Sequence, residues 1–505
     1  MEENKEENDE NNGAYTYDKA VELTGHGCYN YLLLIACSIT AYAFALDVFG
    51  FATVVAASSC DLQLGLREIG ILVSAPFAGV LFAFPWGFYA DTCGRRRALV
   101  VSTAVGFVFA AVSTLANSWQ LMLVLKLIGC SFSTASFTLS MTILGECTGT
   151  AHRSQFLLIM NAFNIASEFV AFSLAYLILP LSFKFSLPWM GITFRPWRLY
   201  TLVMALPLGV AALFFLYLSE SPKYLASCGE YSKALKVLKR MYKINGGKND
   251  GFPVKHILPT DVSTKPDSSF WKTIAHHTVP MFKPPLLWRT IQLFFLLALC
   301  CSVNNVIVMW FPTMVNIFFN SFNGEQTADL TFCERMFQSG NTTEVASTSE
   351  TYRCNESIST NTLYSGMLCG IFFFILNLSV ARIASRPRLV LAAILAVAGV
   401  SVILVNLREP IANMVFFCLV QVTALGIGCV ASYFVDLYPT HNRGLVTSLG
   451  MMVARLVSFT GVNVLGNVIT NYCETTFYCL SSIAFFGVIV SLFLPSDRKN
   501  IKCDS

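Results

Sequence analysis

The chain has 505 residues, 55% of them hydrophobic and 13% charged, with a mean hydropathy of +0.59. Soluble proteins average nearer ~25% charged residues, so a string of soluble domains is excluded in favour of one polytopic membrane unit. Lys plus Arg number 34 against 30 Asp plus Glu, a net charge of +4 that excludes a nucleic-acid-binding protein; the 17 cysteines contain no CxxC pair and suggest no metal site.

The first thirty residues are polar and acidic and lack the basic start and early apolar core of a cleaved signal peptide. Glu2 rules out N-myristoylation, and Cys503 stands too near the end for a prenylation box. Attachment to a bilayer therefore rests on spans. A crossing helix needs roughly 20 apolar residues. Twelve such runs follow, at 32–56, 68–90, 98–116, 120–143, 155–180, 198–218, 289–312, 362–381, 388–407, 411–434, 444–469 and 475–494, numbered spans 1 to 12. They predict an all-α polytopic protein with a tail at 1–30, a six-helix half at 31–218, a linker at 219–288, a second half at 289–495 and a short tail at 496–505.

Basic residues alternate between loops. Arg95, Arg96, Arg97, Arg153, the lysine-rich linker, Arg382, Arg386, Arg388 and Arg443 mark one side, whereas the other carries few, such as Arg67, Lys184, Arg335 and Arg408. By the positive-inside rule both termini and the linker are expected in the cytosol. The 313–361 loop then faces the lumen or the exterior. It holds sequons at Asn341 and Asn355, and Cys333 and Cys354 are expected to form a disulfide there. In the linker, Glu230 to Lys243 alternates lysines with Leu235, Leu238, Met241 and Tyr242, an amphipathic helix that either lies under the bundle or is solvated; His276 and His277 read as solvated.

The two halves repeat. After span 2 comes Gly87-Phe-Tyr-Ala-Asp91-Thr-Cys-Gly94-Arg95-Arg96-Arg97, and span 4 ends on Glu146 with Arg153 seven residues on. The second half offers Ala381, Asp436 and Arg443, and 381 − 91, 436 − 146 and 443 − 153 all equal 290. Two six-helix halves enclosing a midplane cavity are the architecture of rocking-bundle transporters. The Asp91 loop then reads as a latch at the basic end, its arginines reaching Glu146 and headgroup phosphates; the alternative is that they only set topology. Ala381 lacks the carboxylate, so the second copy is expected to be weaker.

These motifs resemble the major facilitator superfamily, whose loop signature G-x-x-x-D-[RK]-x-G-R-[RK] is met by Gly87, Asp91, Gly94, Arg95 and Arg96, with Thr92 departing. Ser219-Glu220-Ser221-Pro222-Lys223 is similar to the sugar-porter and organic-ion branches. Tyr17 to Gly27, Trp310-Phe311-Pro312 and Asp436 to Arg443 are similar to synaptic vesicle glycoprotein 2 and its invertebrate relatives. This chain has a shorter loop between spans 7 and 8 than the vertebrate members of that branch. It also has Ile427 and Ala431 where they carry a Trp and an Asp, so their ligand preferences do not transfer.

A charge at mid-bilayer costs at least ~2.5–3.5 kcal/mol, so each one needs a reason. Asp47 in span 1 is read as a cation-recognition or proton-coupling group, against a structural pair with a neighbouring basic residue. Glu168 and Arg455 lie in opposite halves and either pair across the cavity or line it. Lys126 in span 4 is structural or functional. Asn304, Asn305, Trp310 and Gln421 are neutral candidates for a binding wall, against hydrogen-bond or anchoring roles. No P-loop, GxGxxG or HExxH run is present, so neither an enzyme nor an ATP-driven pump is expected. The expectation is a secondary transporter of a small organic solute, an organic ion or sugar-like molecule, coupled to a proton or cation and working as a monomer in the plasma membrane or a vesicle membrane. The rival is a vesicle glycoprotein that keeps the fold for trafficking or protein binding.

Overall fold

A computed structural model describes residues 13–79, 83–247, 251–258, 284, 286–321, 330–335, 358–383, 387–438 and 440–495. Hydrocarbon offers backbone N–H and C=O groups no partners, so each apolar run closes its hydrogen bonds within a helix. Span 1 runs Cys28–Val48 and resumes at Phe51–Ser58; span 2 is Leu66–Gly79 and Ala83–Cys93. Spans 3 to 6 are Arg95–Ser113, Trp119–Cys147, Thr150–Ile178 and Pro196–Tyr217, and spans 7 to 9 are Leu286–Asn320, Thr360–Ile383 and Pro387–Leu404. Span 10 is Pro410–Leu419 continued by a tighter turn, Val420–Val422, and Thr423–Leu437. Spans 11 and 12 share Thr440–Leu492, broken at Tyr472 (φ −134°, ψ 38°). Among the described residues, ten helices are long and apolar enough to cross a membrane.

Interior packing repeats between the halves. Span 1 packs on spans 4, 5 and 6, and span 3 on spans 4 and 6. Correspondingly, span 7 packs on span 10 and on the continuous helix of spans 11 and 12, and span 9 on span 10 and that same helix. Glycines set the closest approaches. A Cβ at Gly50 would collide with Met204 of span 6, and one at Gly79 would come within 2.8 Å of the Cys130 backbone of span 4.

The halves meet along two seams, span 2 against span 11 and span 5 against span 8. In the first, Trp310 is fully buried and donates its indole N–H to the Val462 carbonyl at 3.1 Å. Added Cβ atoms on Gly70 and Gly466 would sit 3.2 and 2.8 Å from its ring, so both positions are small because the indole fills the seam. In the second, Gly366 and Gly370 accept Phe172 and Phe169, and the Tyr364 hydroxyl donates to that of Tyr176 at 3.0 Å. One buried cluster joins both halves across these seams. A second, from Tyr17 to Ile257 at the basic end, contains no described residue of the second half. Among the described residues, the buried contacts that join the halves therefore lie towards the Trp310 end.

At the basic end, Tyr231–Ile244 packs under the first half through Ala234, Leu238 and Met241 rather than standing solvated. Ala14–Tyr15 pairs in parallel with His256–Ile257, and Asn245 donates to the Thr24 and Gly25 carbonyls, so the linker and the entry to span 1 form one cap.

The expected Cys333–Cys354 disulfide is corrected. Cys333 is bonded to Cys473, with Cα atoms 5.6 Å apart, inside the reach of a disulfide. Residues 332–335 form a short turn held on the second half: Phe332 is buried against Phe318, Phe417 and Phe477, and the Cys333 N–H donates to Asn406. That packing delivers Cys333 to the start of span 12. Cys354, Asn341, Asn355, Arg386, His276 and His277 lie outside the described residues.

Candidate functional site

Asp47 and Lys126 form a buried ion pair between spans 1 and 4, both side chains almost inaccessible. The ammonium also donates to the Asp47 carbonyl at 2.5 Å and lies 4.5 Å from the centre of the Phe51 ring. Ser133, two helical turns beyond Lys126, donates to the second carboxylate oxygen at 2.8 Å, and the Cys130 thiol approaches it at 3.6 Å. This carboxylate is fully partnered. A small cavity reaches the pair between Gly50, Ser113, Thr201 and Met204, so the site is internal to the first half.

Glu168 differs. Its Oε1 is inaccessible and has no hydrogen-bond partner, and it lines a second cavity with Phe49, Thr53, Phe172, Val308 and Pro312, between the halves. Asn164, one turn earlier on the same face, donates to the Ala41 carbonyl at 3.1 Å and fixes the height of span 5 beside span 1. Arg455 approaches span 1 from the other half. Its guanidinium lies 5.6 Å from the Phe44 ring centre, and its Nη1 is buried without a hydrogen bond. No salt bridge joins Glu168 to Arg455 among the described residues; Glu168 lines the second cavity, and Arg455 is not among that cavity's lining residues.

The neutral candidates separate as well. Asn305 donates to Ser458 at 3.0 Å and ties span 7 to span 11, while Asn304 has only a 3.5 Å approach to Asn305. Trp310 belongs to the sealed seam. Gln421 is buried in the tight turn of span 10, where the Cys369 thiol approaches its Oε1 at 3.8 Å and its Nε2 has no partner.

At the basic end Gly94 takes φ +105°, a left-handed conformation that glycine adopts without strain. That turn brings the Arg96 N–H to Glu220 at 2.9 Å, and a Cβ at Gly94 would lie 2.5 Å from the other carboxylate oxygen. Arg95 pairs with Glu146 at 2.9 Å, and Glu146 also accepts from the Ser221 hydroxyl. Arg96 donates to the Phe215 carbonyl at 2.8 Å and the Leu216 carbonyl at 2.5 Å, capping span 6. Arg153 pairs with Asp18 of the entry helix at 3.4 Å instead of with Glu146. Gly87 is exposed on span 2, with open space around it. Asp91, Asp436 and Arg443 lie on described helices, but their side chains fall outside the described residues. The network as described binds the ends of spans 2, 3, 4 and 6 into one body.

Sequence reading missed Ser133, Cys130 and Asn164, although spacings of seven and four residues from a named charge put Ser133 and Asn164 on its helix face. It also missed Asn413, whose amide atoms are buried without partners, and Asp61, which takes Arg195 at 3.2 Å and Arg198 at 3.3 Å near the outer ends of spans 1 and 6.

Comparison with known proteins agrees with this architecture. Human synaptic vesicle glycoprotein 2B is 26% identical over 260 residues, covering 51% of this chain and 38% of that protein. Organic cation/carnitine transporter 7 of Arabidopsis thaliana is 26% identical over 236 residues, covering 46% and 44%. The matched stretches thus span less than half the length of these curated relatives. The partially occluded, inward-open xylose transporter XylE from E. coli superimposes with a TM-score of 0.65 at 10% identity, covering 93% of this chain and 98% of that one, which shows a shared fold. The Major Facilitator Superfamily model matches residues 35–462, most of the chain and both repeated halves. With two halves, a loop built on Gly94 and that match, the chain belongs to the Major Facilitator Superfamily.

Proposed function

We propose that this protein is a secondary transporter that moves a small organic solute by alternating access. The observation that carries the reading is the state of Glu168 and Arg455: two charged groups, one on each half, each with a buried polar atom that no described protein group satisfies. A protein that kept the fold only for trafficking has no use for such groups, whereas a solute-binding site does. The names of the relatives, an organic cation/carnitine transporter and a xylose transporter, support a small organic solute as cargo. The basic end is read as cytosolic from its arginines and lysines, with both termini there and the sequons on the opposite side. The buried Trp310 seam at the opposite end supports reading this as the inward-facing state of a monomeric transporter.

Asp47 and Lys126 are the coupling pair in this reading. A proton on Asp47 removes the charge that holds Lys126, and spans 1 and 4 lose the contact that fixes them; a cation at the carboxylate has the same effect. Uptake into proteoliposomes of tetraethylammonium, xylose and butyrate at two external pH values tests the proposal. Saturable, acid-stimulated uptake of at least one solute is expected, and it falls at least tenfold in Asp47→Asn. Because that variant strands Lys126, the double variant Asp47→Asn/Lys126→Met serves as the folded control and is expected to lose the pH dependence. No flux of any solute under any gradient, with folded protein present, contradicts transport.

A further inference from the structure

The linker helix Tyr231–Ile244 has one face committed to the bundle and one turned outward. Ala234, Leu238 and Met241 are fully buried, and the helix packs on Pro222–Ser227, on span 1 and on the strand His256–Ile257, all of the first half and its linker. At about 100° per residue, Lys233, Lys236, Lys239, Arg240 and Lys243 fall within an arc of roughly 120° opposite those three. All five are exposed. Lys233 pairs with Glu230 at 2.6 Å, and Arg240 donates to the Ser219 hydroxyl at 3.1 Å. Lys236, Lys239 and Lys243 form no salt bridge among the described residues. Like charges three and four residues apart destabilise a helix, so a purpose other than helix formation keeps them together.

The position of the helix identifies its partner. Arg240 meets Ser219 two residues beyond the end of span 6. Asn245, just past the helix, donates to the Asn30 side chain at 2.9 Å and accepts the Tyr29 N–H at 3.0 Å in the first turn of span 1. The helix therefore runs across the mouths of spans 1 and 6, where hydrocarbon gives way to headgroups. At the mouth of span 6 Leu216 and Tyr217 are exposed, Tyr217 by 81%, as expected of side chains turned to lipid at an interface. The apolar face is already filled by the bundle, so the helix has only charge to present to the bilayer. Four of the five residues are lysines, point charges on flexible stems without the planar fork that selects one carboxylate geometry. That suits a fluid layer of phosphate and carboxylate groups better than a folded acidic protein.

We propose that the face from Lys233 to Lys243 binds anionic lipid headgroups, those of phosphatidylserine among them, in the leaflet at the basic end. Because the helix packs on the first half, this contact ties the first half, and not the second, to the leaflet.

The test uses the full chain in phosphatidylcholine bilayers with a trace of spin-labelled phosphatidylserine or spin-labelled phosphatidylcholine. Electron paramagnetic resonance reads the ratio of their association with the protein; no solute is involved, so the outcome is separate from that of the transport proposal. Phosphatidylserine is expected to be preferred by roughly threefold or more in about 20 mM salt, with the ratio falling towards one in about 500 mM, where charges are screened within a few ångströms. The combined variant Lys233→Gln/Lys236→Gln/Lys239→Gln/Arg240→Gln/Lys243→Gln leaves the packed face intact and is expected to show a ratio near one while remaining monodisperse. A ratio near one in the wild type, or an unchanged ratio in the variant, overturns the proposal. So does retention of a soluble polyglutamate peptide without any lipid preference, which would give the face to an acidic protein. If the variant does not fold, a photoactivatable phosphatidylserine decides on the wild type: labelling within 231–244 supports the proposal, and labelling confined to other segments overturns it.

Discussion

Asp47 and Glu168 are carboxylates at similar depth on adjacent helices, yet one is enclosed by partners and the other has no hydrogen-bond partner among the described residues. Asp47 holds Lys126, Ser133 and Cys130 on span 4, so its charge is matched within the first half. Glu168 faces the space between halves with an unsatisfied oxygen. Burying an unpartnered charge is unfavourable, and it persists where something other than folding requires it. The pair teaches that a charge inside a span is not in itself a binding group; the state of its partners distinguishes a group that holds helices together from one that waits for a solute.

The comparison can be broken most strongly at Lys126. Lys126→Met strands Asp47 and is expected to destabilise the detergent-solubilised protein by about 3–5 kcal/mol, read as a large fall in thermal midpoint. A fall no larger than that of a surface lysine variant would remove the distinction between the two carboxylates. Next comes the network at the basic end, where Arg95→Met leaves Glu146 with the Ser221 hydroxyl and is expected to cost about 1.5–3 kcal/mol. A smaller effect is expected at the sealed seam. Gly466→Ala forces a methyl against Trp310, costs about 1–3 kcal/mol, and should lower the yield of a cross-link engineered between spans 2 and 11 as that seam opens. The smallest concerns Glu334, whose carboxylate accepts the Thr331 N–H at 2.7 Å while the Thr331 hydroxyl accepts the Glu334 N–H. The Thr331 N–H, and then its side chain, hold that carboxyl below the usual range. A depressed carboxylate contributes stability above its unfolded pKa of about 4.3 and loses it as pH falls through the lower folded value. Protection factors of amides 331–335 should accordingly be unchanged from pH 7 to 5 and drop below about pH 4; a drop near neutral pH would contradict the assignment.

Much of the fold was legible because hydrocarbon demands long apolar runs and basic residues mark alternate loops, so the spans and the repeat at an offset of 290 needed no tertiary information. The network around Gly94 was partly legible, since Gly94 stands where a left-handed turn is required. Its partner Glu220 was legible only through a resemblance. Asp47, Glu168 and Arg455 stood out as charges in apolar runs, but not the fact that Lys126, 79 residues away, faces only one of the two carboxylates. Helix rotation in a bundle is set by packing on every side and leaves little periodic trace when most faces are apolar. Trp310 read as a binding wall for that reason, and its role in the seam depends on Gly70 and Gly466, nearly 400 residues apart in the chain. Cys473 was passed over because it stands at the mouth of an apolar span, whereas the turn carrying Phe332 brings Cys333 to it.

Thermal stability and uptake measured on the same preparation of Glu168→Gln test the central claim most directly. A group held for a solute predicts a midpoint equal to or above that of the wild type together with at least a tenfold loss of transport of the solute that the wild type carries. A lowered midpoint with transport unchanged would contradict the account and place Glu168 among charges that only hold helices together.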